Sequence, residues 1–170
     1  FDDQTRFVVG LKNEVKANFR VRLYMRDYGW RQRERWLDKV PDIQFDKNDQ
    51  PIRKLLTNCR LYISTYNATT HLESLAWNVP TVMFWNPEHW ELKPEAEEFF
   101  KLLESVGIFH RTPESAAKQV NKVWDNVPAW WESNEVQQAR KEFCWQYSRH
   151  TDDVIKNLEA TLCRASNTFV

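Results

Sequence analysis

The stretch Leu61 to Trp85, LYISTYNATTHLESLAWNVPTVMFW, constrains this chain more than any other. Its two apolar runs, from Leu61 and from Thr81, are short enough for strands. Between them lie a polar turn, a helix-like stretch and Pro80, which punctuates the return to a strand. Strand, helix and strand with short connections describe a right-handed parallel crossover. The runs are apolar on consecutive residues, as in strands covered on both faces.

The same alternation holds to either side. Residues 3 to 18 read as one amphipathic helix, and Val21 to Met25 as a strand. A helix is expected from Arg31 to Lys39, a short strand from Ile43 to Phe45 and a helix from Pro51 to about Asn58. The next helix is expected from Thr70 to Asn78. After Trp85 come a loop, a helix from Pro94 to Val106 stopped by Gly107, and a short strand Ile108 to His110. Thr112-Pro113-Glu114 marks another helix start, and that helix runs to about Asp125. Pro128 to Trp131 reads as a break. Two final helices cover Glu135 to Arg149 and Asp152 to Leu162. The expected fold class is α/β: a Rossmann-like parallel sheet sandwiched by helices, with extra C-terminal helices. Residues 1–163 form a single domain in this reading, and 164–170 a frayed tail.

At 170 residues the chain is long enough for one core. Its 24 basic and 24 acidic residues cancel, which argues against a nucleic-acid partner. No apolar run nears the ~18 residues of a membrane helix, which leaves peripheral membrane contact compatible with the sequence. Three widely spaced cysteines argue against a disulfide framework and point to a cytoplasmic protein. The sequon at Asn67 is then read as chance. The histidines and cysteines have no metal-ligand spacing, so no metal or other cofactor is expected. Glycine-rich nucleotide motifs and the Gly-x-Ser-x-Gly elbow are absent.

Three polar clusters follow expected strand ends, where open α/β sheets bind ligands. In the first, amides and hydroxyls of Ser64, Asn67, Thr69 and Thr70 can donate to phosphate oxygens at a helix start. Glu73, one turn on, can accept from a sugar hydroxyl. The plainer reading is that Ser, Thr and Asn are ordinary helix caps and that a helical glutamate faces water. In the second, Arg22 and Arg26 could pair with phosphate, and Tyr28 and Trp30 could stack on a base or sugar. A surface turn with Trp30 in the core is the alternative. The third offers Trp85 and Trp90 as sugar contacts and His89 as a base. His71, beside the turn, is a second catalytic candidate; for both histidines a structural or surface role is the alternative.

The run STYNATTHLESLAWNVPTVMFWNPEHWEL, with TPESAA, VRLY, DYGW and ERW, resembles the C-terminal part of a bacterial family of surface-carbohydrate transferases first catalogued in leptospires. Its strand–turn–helix–Pro–strand pattern is similar to the donor half of GT-B glycosyltransferases. The resemblance implies a nucleotide-sugar donor as substrate, with Thr69 and Thr70 on its phosphates and Glu73 on its ribose. It also implies an N-terminal half that supplies the acceptor-activating base, so the 170 residues alone are expected to be inactive. Many GT-B enzymes carry glycines where this chain has Asn67-Ala68. A non-catalytic carbohydrate- or nucleotide-binding module is the rival reading, and a nucleotide-sugar epimerase or hydrolase the third.

Overall fold

Strand β4, Thr81–Phe84, organises the molecule, because all four of its side chains are buried. The computed structural model describes residues 1–149 and 153–166. β4 lies between β3 (Tyr62–Ser64) and β5 (Phe109–His110), parallel to both. Alternation along a strand sends successive side chains to opposite faces, and β4 does this. Val82 and Phe84 join one core, with Phe7, Val8, Leu11 and Val15 from the N-terminal helices and Ala116, Ala117 and Val120 from a later one. Met83 joins the other core, and so does Trp85, which continues the alternation past the strand end. That second core holds Phe100, Leu103, Val136, Ala139 and Phe143. Helices thus cover both faces of the sheet, as a Rossmann-like α/β arrangement requires.

The expected helix over residues 3 to 18 is two helices, α1 (Asp2–Val9) and α2 (Asn13–Asn18). Asn121 makes the break: its side chain donates to the Gly10 carbonyl at 2.9 Å and accepts from the Lys12 amide at 2.8 Å. One distant amide thus satisfies both a helix-end acceptor and a helix-start donor. Gly10 also sits where a Cβ would stand 3.0 Å from the Ala117 Cβ, so α1 lies close against its neighbour. The expected strand over Val21 to Met25 shrinks to β1, Arg20–Val21, paired in parallel with β2, Gln44–Phe45. Beyond Val21 the chain bonds to side chains instead of a ladder: Asn48 donates to the Leu23 carbonyl at 3.2 Å. The described strands therefore form two small parallel sheets, β1-β2 and β3-β4-β5, in place of one. Val21, Leu23, Phe45 and Ile63 pack against the same core, which links the two sheets without a shared ladder.

Helices α3 (Gln32–Lys39), α4 (Ile52–Asn58), α5 (Thr69–Ala76) and α6 (Pro94–Ser105) lie within two residues of expectation. Gly107 stops α6 at φ 77°, a left-handed cap that a side chain would strain. Thr112 caps α7 (Pro113–Val123) by accepting from the Ser115 amide. A 3-10 turn, Trp124–Asn126, leads into α8, Val127–Trp131. Pro128 therefore opens a short helix where a break was expected; its missing N–H falls in the first turn, where no partner is needed. Then follow α9 (Asn134–Tyr147) and α10 (Val154–Ser166). Asp152, where the last helix was expected to start, and residues 167–170 of the expected tail lie outside the described residues.

Candidate functional site

The turn between β3 and α5 is built from backbone up. Ser64 ends the strand, is buried, and bonds through its hydroxyl to the Tyr66 carbonyl at 3.4 Å. Thr65 accepts from the Gln4 side chain at 2.7 Å, which fastens the turn to α1. α5 begins with Ala68 as N-cap, in extended conformation, and no side chain caps the first turn. Its leading amides thus keep their capacity for an outside acceptor, with the positive end of the helix dipole behind them. No residue between Ser64 and Thr70 has a positive φ, so Asn67-Ala68 makes this turn without glycine.

Thr69 and Glu73 are exposed, Asn67 and Thr70 half-buried. Thr70 and Glu73 are three apart, on one helix face. The Glu73 carboxylate has no partner among the described residues. Beneath the turn lies half-buried Tyr62; burial holds its phenol above the ordinary tyrosine range, while the neighbouring Ser64 and Thr70 side chains pull the other way. Tyr62 is not among the candidates expected from sequence, although period two from Ser64 places it on the same strand face.

The loop after β4 meets this turn. Asn86 accepts from the amides of His89 and Trp90 through its carbonyl and from the Glu88 amide through its side chain. These bonds bring Trp90 against Tyr66, ring centroids 6.0 Å apart, with both rings partly exposed. His89 is exposed on the same loop. Adjacent parallel strands thus deliver the first and third clusters to one rim.

Two aromatic candidates point inward. Trp85 is 2% exposed, and its ring lies 4.8 Å from Phe109 and 5.6 Å from Phe100. It fills the core and offers no face to a sugar. His71, also 2% exposed, lies 5.4 Å from the Trp85 ring. Burial lowers its pKa to about 4, so the imidazole is neutral at physiological pH. His71 Nδ1 and Trp85 Nε1 are both buried without a hydrogen-bond partner.

The second cluster stands apart. Arg22 pairs with Asp46 at 2.8 Å and donates to the Gln50 carbonyl, which occupies both ends of its guanidinium. Arg26 lies over the Tyr28 ring at 5.3 Å, Tyr28 is stacked on Tyr24, and Trp30 leans on Tyr28. Trp30 is exposed here, where a core position was the alternative. No hydrogen bond, ion pair or ring contact among the described residues joins this loop to the Ser64–Thr70 turn. Asp27 orders the loop from within, accepting from the amides of Trp30, Arg31 and Gln32 at 2.8, 3.2 and 3.3 Å. Asp27→Ala strips these amides of their acceptor, which should cost about 1 kcal/mol, and should speed trypsin cleavage at Arg26 and Arg31. Unchanged cleavage would show that the loop holds its shape without Asp27.

A depression of about 720 Å³ lies at the far end of α5, lined by Ala76, Arg140, Lys141, Trp145 and Arg149 among others. It is built on α9 and α10 and shares no residue with the turn. No cluster of three or more metal-ligating side chains occurs among the described residues, and none of their helices is long and apolar enough to cross a membrane. No curated protein and no solved structure matches the chain. The model of the LIC12162 family transferases matches residues 1–162, and the chain belongs to that family of transferases.

Proposed function

We propose that this chain is the donor-binding domain of a GT-B-type glycosyltransferase that takes sugar from a nucleotide-activated donor for surface carbohydrate synthesis in the cytoplasm. The observation that carries this reading is the start of α5: a helix N-terminus without a side-chain cap, with exposed Thr69 on its first turn and Glu73, which has no partner among the described residues, one turn on. The amides and the Thr69 and Thr70 hydroxyls receive the donor's phosphates. Glu73 accepts from the ribose hydroxyls, and Trp90 with Tyr66 gives a partly exposed aromatic wall beside them.

In the reaction the acceptor oxygen bonds to the anomeric carbon as the bond from that carbon to the phosphate oxygen breaks. Negative charge then grows on the leaving phosphate, and preorganised amides stabilise it there. The base that takes the acceptor's proton belongs to another part of the enzyme, the N-terminal half. The reading rests on the transferase family together with the α5 geometry, and it draws on neither His71 nor Trp85.

A thermal-shift panel of UDP, GDP, CDP, CMP and dTDP tests it. Ligand at about a hundred times its Kd stabilises by roughly 2.7 kcal/mol, about 5–10 °C for a chain of this size. One nucleotide should produce such a shift, and Glu73→Ala should remove most of it while leaving the ligand-free melting temperature unchanged. A panel without any shift, or a shift indifferent to Glu73→Ala, defeats the reading.

A further inference from the structure

The loop from Arg22 to Arg31 exposes four large apolar side chains within seven residues: Tyr24, Met25, Tyr28 and Trp30. Met25 is 87% exposed and Trp30 59%. Rings this exposed are ordinarily mobile, yet these are held in a mutual stack with Arg26 over Tyr28. Asp27 ties the backbone beneath them, Gly29 turns at φ 85°, and Arg31 enters α3 at φ 50°. The chain therefore spends backbone freedom to display apolar groups to solvent, and a contiguous exposed apolar patch marks an interaction surface.

Charge identifies the partner. Between positions 20 and 36 the chain has six arginines, a quarter of all its basic residues in a tenth of its length, and only two acids; Asp46 neutralises one of the six, Arg22, which leaves five. One of those acids, Asp27, is turned inward onto backbone amides. The chain as a whole is neutral, so this basic segment is a local feature. Tyr and Trp favour the boundary between water and hydrocarbon. Arginine keeps its charge at that boundary while its stem lies on apolar groups. An unbranched, non-aromatic Met25 at the most exposed position suits acyl chains; a base or sugar would be met by a ring face.

We propose that the Arg22–Arg31 loop docks the protein on an anionic lipid bilayer, with Met25 and Trp30 entering the interface and Arg26 and Arg31 on lipid phosphates. A membrane-seated acceptor would suit the proposed transfer, but the docking rests on this loop alone and stands without the donor reading.

Flotation of the protein with vesicles tests it. Vesicles of phosphatidylcholine with phosphatidylglycerol should carry the protein upward, less so as salt rises, and pure phosphatidylcholine should not. Met25→Glu and the double variant R26E/R31E should each lower the bound fraction at least about tenfold, since each interfacial arginine adds severalfold to attraction. Both should melt at the parent temperature, because none of the three side chains is buried. Glu73→Ala should float like the parent, which separates this test from that of the donor site. The proposal is overturned by absent flotation, by equal binding to neutral vesicles, or by variants that float like the parent. A single-stranded RNA that binds through these residues in place of vesicles also overturns it.

Discussion

Trp85→Ala should remove about 3–5 kcal/mol of folding free energy, the range for truncating a buried large aromatic. Total stability for a domain of this kind is about 5–15 kcal/mol, so the variant should unfold at far lower urea. The reason is placement: Trp85 is packed between His71, Phe100 and Phe109 at the centre of one core. Trp85→Phe should lose much less. It keeps most of the ring and removes an indole N–H that has no partner. Urea denaturation followed by circular dichroism measures both. A midpoint unmoved by Trp85→Ala, with weakened donor binding, would return Trp85 to the role of a ligand contact.

His71 should make the protein weaken as pH falls from 6.5 towards 4. Burial lowers its pKa in the folded state to about 4, from the ordinary 6.5 of an imidazole in water. Above 6.5 the imidazole is neutral in both states and contributes no pH dependence. Below 6.5 the unfolded chain takes a proton that the folded chain refuses, so unfolding gains. The loss is complete near pH 4, where the folded state also takes the proton. A shift of that size corresponds to roughly 3 kcal/mol. Burial also lowers the pKa of His110, opposed by its bond to the Gly107 carbonyl and by Glu104, so a smaller slope should persist without His71. The carboxyls of Glu97 and Glu114, held below their usual range by Arg111 and Arg6, lose their contribution only at more acid pH. His71→Phe, which keeps a ring of similar size and cannot titrate, should flatten stability between pH 5 and 6.5. An unchanged slope in that variant would place the titration elsewhere.

Much of the chain was legible one turn at a time. Pro94 and Gly107 bracket α6, Thr112 caps α7, and the apolar run Thr81–Phe84 is β4 without adjustment. Each signal acts within a few residues, through a fixed φ, an unpaired amide or a side-chain period, and so sequence carries it whole. The start of α5 belongs here too, since it lies between two strands that the pattern locates. What failed were inferences that needed a distant partner. Nothing near Gly10 announces that Asn121 will split a helix there, and nothing near Leu23 announces that Asn48 will end a strand.

The tryptophans show the division most clearly. Trp85 and Trp90 follow the same strand and have the same chemistry, yet one is core and the other a partly exposed wall against Tyr66. Trp30, in a turn where burial was equally plausible, is held out to solvent. By itself the sequence determined that strands and helices alternate and that a polar turn opens α5 at a strand end. Only the tertiary structure decided which aromatic rings face in, that the Arg26–Trp30 cluster stands apart from the rim where all three clusters were expected, and that Arg22 is already paired with Asp46. Local signals depend on bonds within a turn of chain, whereas burial depends on which surfaces the whole chain brings together.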